Sequence, residues 1–159
     1  MLRDLHLGKR KVKAGLILRE AMLINGVLFN SEAWPGLTST HIARLQVVDN
    51  ALLREITSSH ANIATEFLYL ETGTLQISYI ITSRRLNYLK HILNRNENDL
   101  IRRIKNEQQE DPIKGDWINL VKMDLENTDP NLDEKEIMSK TKKQFKTHMK
   151  PFIYQAVLN

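Results

Sequence analysis

The chain contains no cysteine and, among its 159 residues, only six glycines and four prolines. Without thiols it has no disulfides, no thiolate catalysis and no cysteine-ligated zinc site. The small number of glycines and prolines leaves few places for tight turns, which favours long helices over many short strands. No apolar run approaches the roughly 18 residues of a membrane-spanning helix, and the charged N-terminus does not resemble a secretory signal. We therefore expect an intracellular protein, nuclear or cytoplasmic, that has no membrane contact.

Motifs that would mark an enzyme are also missing. The sequence has no Gly-x-Ser-x-Gly nucleophile turn and no glycine-rich phosphate loop. Two-metal phosphoryl transfer needs closely spaced carboxylates, and no two aspartates are adjacent. The five histidines lack the spacing of metal ligands, and the carboxylates between Asp124 and Glu136 have the character of a solvated loop and helix start. We expect no catalytic residue, no metal and no cofactor in this chain.

Apolar residues recur at helical spacing along most of the sequence. The spacing predicts helices over 14–29, 42–56, 63–70, 75–93, 97–109 and 116–125, with one or two more over 133–158, bent at Pro151. We therefore predict an all-α fold, an irregular bundle of about six to eight helices with no substantial sheet. The predicted division is a truncated basic lead-in at 1–13, a helical core at 14–110, and a linker with C-terminal helices at 111–159.

Two predicted helices have a definite apolar face. Leu86, Leu89 and Leu93 recur at i, i+3 and i+7, so they should point into the core. The helix 97–109 is expected to pack through the apolar residues Leu100, Ile101 and Ile104.

Basic residues are clustered, although the net charge is only +4. The clusters are Lys9, Arg10, Lys11 and Lys13; then Arg84, Arg85, Lys90, Arg95, Arg102, Arg103 and Lys105; then Lys140, Lys142, Lys143, Lys146 and Lys150. Clustered cations are typical of a protein that binds a polyanion. They are equally typical of solvated helix faces, and both interpretations stay open at this point.

One set of side chains combines cations with an aromatic ring. At 100° per residue, Arg84, Tyr88, His91 and Arg95 fall within roughly 60° of one another, opposite the three leucines. Such a stripe can neutralise phosphates and offer a ring for stacking, or it can be the polar back of an amphipathic helix. With Lys142, Lys143 and Lys146 from the C-terminal cluster, these residues are the candidate nucleic-acid contacts.

Several short segments resemble a known family when they are taken in order. They are Leu28-Phe29-Asn30-Ser31-Glu32-Ala33-Trp34, then Asn50-Ala51-Leu52-Leu53-Arg54-Glu55-Ile56, then Arg84-Arg85-Leu86-Asn87-Tyr88-Leu89-Lys90-His91-Ile92-Leu93, and finally Asp116-Trp117-Ile118. Together they resemble the region that follows the polymerase domain in non-LTR (LINE-type) retrotransposon reverse transcriptases. The resemblance covers residues from about 14 to 126, and Asn30 stands where that family usually has glycine.

The resemblance implies a function without catalysis. The metal-binding aspartates and the endonuclease of the parent protein would lie upstream, and the helices here would help to hold template RNA and target DNA. Such positioning requires only cations on rigid helices, because phosphate contacts place a nucleic acid without reading its sequence. The expected partners are RNA or DNA and the upstream polymerase domain. The alternative is a helical protein-interaction module whose charges serve solubility.

Overall fold

The computed structural model describes residues 2–129, 131, 133–141, 143–145 and 147, with residues 2–7 and 9 described by backbone alone. The α-helices are α1 (Leu2–Arg19), α2 (Ser39–Thr57), α3 (Thr65–Thr72), α4 (Ile77–Leu93), α5 (Leu100–Glu110), α6 (Trp117–Thr128) and α7 (Glu134–Ser139). A π-helix, Glu20–Val27, continues directly from α1, and a 3₁₀ turn covers Ser31–Ala33. Since the described residues form no strand, the predicted all-α fold is confirmed. None of the described helices is long and apolar enough to cross a membrane.

The chain divides into two compact units. Unit 1 takes in Met1–Phe29 and Thr40–Ile77, and unit 2 takes in Asn30–Ser39 and Ser78–Asn159. This division differs from the predicted one in two respects. Helix α1 runs without a break through the boundary expected at residue 13, and the boundary expected at residue 110 falls inside unit 2.

The turn before the 3₁₀ segment depends on an asparagine. Asn30 has φ 57° and ψ 21°, in the left-handed region that asparagine tolerates better than most non-glycine residues. The turn therefore forms with asparagine in the place where the resembled family usually has glycine.

In unit 1, the apolar core lies among the first three α-helices. Leu53, Leu68 and Tyr69 are buried, and Leu16 and Ile63 pack against them. Helices α1 and α2 approach closely at Gly15, where a Cβ atom would lie 2.8 Å from Cγ1 of Ile56. A side chain larger than glycine at this position would therefore force Ile56 or one of the two helices to shift.

A polar network is buried in the same unit around Asp49 of α2, which is fully buried. Arg19 donates to both carboxylate oxygens of Asp49, and its Nη2 also donates to the carbonyl of Leu75 at 3.1 Å. The hydroxyl of Tyr69 donates to Asp49 at 3.0 Å, and Gln46 bonds to that same hydroxyl. Burial raises the pKa of Tyr69 well above its ordinary value, and the nearby Asp49 carboxylate raises it further. With its charges and donors matched internally, the network joins α1, α2 and α3.

The core of unit 2 is built on α4. Leu86, Leu89 and Leu93 are each at most 2% exposed, so their predicted inward orientation is confirmed. The side chains clustered around them come mainly from α6 and the C-terminal segment: Trp117, Ile118, Val121, Ile137 and Phe145.

Helix α5 buries a different face from the one that the sequence predicted. Leu100 is 66% exposed and Ile104 is 45% exposed, whereas Lys105 is 3% exposed. The Lys105 ammonium lies 2.7 Å from a carboxylate oxygen of Glu134 and donates to Gln109 at 2.5 Å. The prediction that α5 packs through Leu100, Ile101 and Ile104 was therefore wrong. An ion pair, rather than apolar contact, holds the inner side of this helix.

Candidate nucleic-acid interface

The cationic stripe predicted on α4 has its exposed part at the helix end. His91 lies in the last turn of α4, and Arg95 follows just after the helix ends at Leu93. Both side chains are exposed, and Nη2 of Arg95 lies 3.1 Å from Nε2 of His91. Nη1 of Arg95 also lies 3.7 Å from a carboxylate oxygen of Asp99. A guanidinium held in this way keeps one side open to solvent.

Tyr88 connects the exposed pair to the core. Its ring stacks on His91, with 6.3 Å between ring centroids and an interplanar angle of 17°. The edge of Trp117 meets the same ring at 5.7 Å and 80°. Because Tyr88 is half-buried and packed in this way, its main effect is to fix the orientation of the His91 imidazole. Its capacity to stack on a base is partly used within the protein.

Arg84, the fourth member of the stripe, is half-buried and turned toward the 3₁₀ segment. Its Nη1 lies 3.4 Å from Oγ of Ser31, a residue that is fully buried. The structure thus brings Tyr88, His91 and Arg95 together at one end of α4 and engages Arg84 elsewhere.

Three of the segments that carry the family resemblance meet within unit 2. The indole Nε1 of Trp117 donates to the carbonyl of Glu32 at 2.6 Å, and Trp117 also contacts Tyr88. Ser31, beside Glu32, contacts Arg84. The 3₁₀ segment, α4 and the start of α6 therefore form one contiguous set of contacts.

Several cations of the second basic cluster are buried and are bonded to groups inside the protein. Arg85 is 3% exposed and pairs with Asp124 at 2.5 Å, and Thr82 donates to the same carboxylate at 3.1 Å. Burial raises the pKa of Asp124, while the Arg85 guanidinium opposes that shift. The interpretation of this carboxylate stretch as solvated was wrong for Asp124. It holds α6 against α4.

Lys90 is a second buried cation of that cluster. Its ammonium donates to the carbonyl oxygens of Ile137, at 2.5 Å, and Lys140. It also lies 5.6 Å from the centre of the Phe145 ring. Burial lowers the pKa of Lys90, and the charge of Lys140 lowers it further. The sequence carried a signal for this burial, since Lys90 lies four residues after the buried Leu86.

The C-terminal cluster falls only partly within the described residues. Lys143 is exposed, whereas Lys142 and Lys146 lie outside the described residues, as do residues 148–158 of the segment predicted to be helical over 133–158. Lys140 forms an ion pair with Glu136 one turn earlier.

Three of the four cations in the N-terminal cluster, in contrast, are described by the structure and face solvent. Arg10, Lys11 and Lys13 are all exposed on α1, and no acidic residue occurs between Asp4 and Glu20. The sequence showed that these cations are clustered, but they were not among the candidate nucleic-acid contacts.

Within the described part of the chain, no group of three or more histidine, aspartate or glutamate side chains is arranged to hold a metal ion. No protein-family model, no curated protein and no solved structure matches this chain.

Proposed function

We propose that this chain is a non-catalytic nucleic-acid-binding piece of a mobile-element reverse transcriptase, and that unit 2 contacts phosphates. The observation that carries the proposal is the exposed pair of His91 and Arg95, whose imidazole is oriented by the Tyr88 ring. An arginine guanidinium is well suited to phosphate because it presents several donors in a fixed plane.

The second basic cluster has fewer cations available to a nucleic acid than its sequence suggests. Arg85, Lys90 and Lys105 are occupied inside the protein, so this cluster offers few phosphate contacts. Few contacts give weak affinity, and phosphate contacts carry no sequence information. We therefore expect weak, sequence-independent binding to RNA or single-stranded DNA.

The contacts among the resembling segments support the family part of the proposal. The 3₁₀ segment, α4 and the start of α6 touch one another through Ser31, Arg84 and Trp117. Asn30 adopts the left-handed turn that a glycine would provide. In this account the polymerase domain of the parent protein precedes the chain and is its natural protein partner.

Fluorescence polarisation with labelled single-stranded RNA and DNA tests the proposal. A variant with His91→Ala and Arg95→Ala should bind more weakly than the parent chain. The matched control is Lys122→Ala with Lys135→Ala, two exposed cations on α6 and α7. The control removes at least as much positive charge, so an effect of net charge alone would weaken it equally. Equal weakening in both variants would remove the proposed interface.

A second candidate, a protein-interaction module, is favoured by the apolar surface of unit 1. Nine large apolar side chains there are more than 50% exposed: Ile17, Leu18, Met22, Val27, Phe29, Val47, Val48, Phe67 and Leu70. Each forgoes roughly half or more of the about 1.5–3 kcal/mol that full burial would contribute. Apolar surface of this kind marks an interaction site where it is contiguous.

A further inference from the structure

Helix α1 has one side in the core of unit 1 and an opposite side in solvent. At 100° per residue, Val12, Leu16 and Arg19 fall on one side, and all three are buried or half-buried. Arg10, Ala14 and Ile17 lie on the opposite side, within roughly 60° of one another, and all three are exposed. Leu18 adjoins this second set, the exposed Lys11 and Lys13 lie on its two flanks, and the exposed Ala21 and Met22 follow in the π-helix. We call all of these residues together the outer face of α1.

The outer face changes character along the helix. Its earlier part carries the exposed cations Arg10, Lys11 and Lys13. Its later part is mainly apolar, with the exposed Glu20 at one edge: Ile17 is 60% exposed, Leu18 59% and Met22, at the start of the π-helix, 69%. Ala14 and Ala21 lie between these large residues and leave room for close approach of another backbone.

We propose that the outer face of α1 binds an acidic amphipathic helix of another protein. The apolar half supplies a ridge of large side chains with small ones between them, which is the surface on which a second helix packs. The basic half has no acidic residue of its own from residue 5 to residue 19, so a partner with glutamates or aspartates at that end completes its charges. Charges that flank an apolar seam select the partner and its orientation.

This interaction goes beyond the nucleic-acid role and does not depend on it, since it involves unit 1 alone. It also gives the second candidate function a definite partner chemistry. Substitution of His91 and Arg95 should leave binding of the acidic helix unchanged. The nucleic-acid proposal and the acidic-helix proposal can therefore be contradicted independently.

The probe is a synthetic amphipathic helix of about 20 residues, long enough to be helical in water. Leucines at i, i+3, i+4 and i+7 form its apolar side, and glutamates flank them in the half that would meet Arg10, Lys11 and Lys13. Its twin carries lysine in place of every glutamate. By isothermal titration calorimetry, the parent chain should bind the acidic probe saturably and the basic twin not at all. Ile17→Glu with Met22→Glu should weaken binding by about tenfold or more.

The control uses exposed apolar residues of unit 2. Leu100→Glu with Ile104→Glu introduces the same charges and should leave the affinity for the acidic probe unchanged. A charge-reversed variant, with Arg10→Glu, Lys11→Glu and Lys13→Glu, should no longer bind the acidic probe and should bind the basic twin. Circular dichroism of each variant should match the parent, because every substituted side chain is exposed.

Several results would overturn the assignment. No saturable binding, equal binding of the two probes, or equal weakening in the Leu100 and Ile104 control would each do so. Dimerisation of the parent chain that Ile17→Glu abolishes would assign the face to a second copy instead. Abolished RNA binding in the charge-reversed variant, with binding retained in the His91 and Arg95 variant, would assign the face to nucleic acid.

Discussion

Arg19 holds Asp49 with two hydrogen bonds, from Nε at 2.6 Å and from Nη2 at 2.8 Å, and neither side chain is more than 3% exposed. A buried ion pair of this kind depends on both of its members, because removing one leaves the other charged and unpaired. We predict that Asp49→Ala lowers the free energy of unfolding by about 3–5 kcal/mol. Urea denaturation followed by circular dichroism measures the change.

The double variant Arg19→Met with Asp49→Leu tests whether the cost of Asp49→Ala comes from leaving Arg19 charged and unpaired. It removes both charges and keeps apolar volume, so it should be more stable than the single Asp49→Ala variant. A double variant less stable than the single one would show that the bond from Arg19 to the carbonyl of Leu75 contributes more than an unpaired Arg19 charge costs.

Tyr69 should make the free energy of unfolding depend on pH in the alkaline range. Its pKa in the folded protein is raised above the ordinary 10.0, first by burial and then by Asp49. Above about pH 10 the unfolded chain releases a proton that the folded chain keeps, so the free energy of unfolding falls as the pH rises. Below that pH this contribution to stability is fully present. Urea denaturation at pH 9, 10 and 11 should show the decline, and Tyr69→Phe should make it shallower; an unchanged slope would rule out Tyr69 as its source.

The close approach of α1 and α2 predicts opposite effects for two glycine substitutions in one helix. Gly8→Ala should raise stability by about 0.5–1 kcal/mol, since alanine is the better helix former and nothing lies within 4 Å of the new methyl group. Gly15→Ala should lower stability because its methyl group would meet Ile56 at 2.8 Å. Thermal melting compares the two, and a stabilising Gly15→Ala would mean that the helices separate at little cost.

Leu86 and Arg95 should differ sharply in their effects on stability. Leu86 is fully buried, so Leu86→Ala leaves a cavity and should cost about 2–5 kcal/mol. Arg95 is exposed, and Arg95→Ala should change stability by no more than about 0.5 kcal/mol. If Arg95→Ala were the more damaging change in thermal melts, the orientation of α4 would be wrong.

The sequence predicted the helices and the inward face of α4 because both depend on local periodicity. Leu86, Leu89 and Leu93 repeat at helical spacing and need no knowledge of their partners. Most predicted helix bounds differ from the observed ones by a few residues, but the first helix begins at Leu2 instead of residue 14. Asn30, noted as a departure from the resembled family, adopts a left-handed conformation.

The buried ion pairs could not be predicted in the same way. Arg19 pairs with Asp49 across 30 residues, and Arg85 pairs with Asp124 across 39. A charged residue within a helix pattern normally indicates the solvent side, and nothing local reveals a distant counter-ion. The same reason explains the error at α5, where Lys105 is buried because Glu134, 29 residues later, neutralises it.

The structure agrees with the predicted stripe on α4 at two of its four residues and differs from it at the other two. His91 and Arg95 are exposed as a solvent-facing stripe would require, but Tyr88 packs on Trp117 and Arg84 turns toward Ser31. Those two contacts join segments separated by 29 and 53 residues, so helical phase alone could not anticipate them.

The salt dependence of RNA binding tests the central claim most directly. The logarithm of the binding constant for a single-stranded RNA, plotted against the logarithm of salt concentration, should fall linearly for the parent chain. The variant with His91→Ala and Arg95→Ala should give a slope shallower by about 0.7 for each phosphate that the protein no longer neutralises, while the Lys122→Ala and Lys135→Ala control should keep the parent slope. A slope that is the same in the parent chain and in the His91 and Arg95 variant would contradict the account.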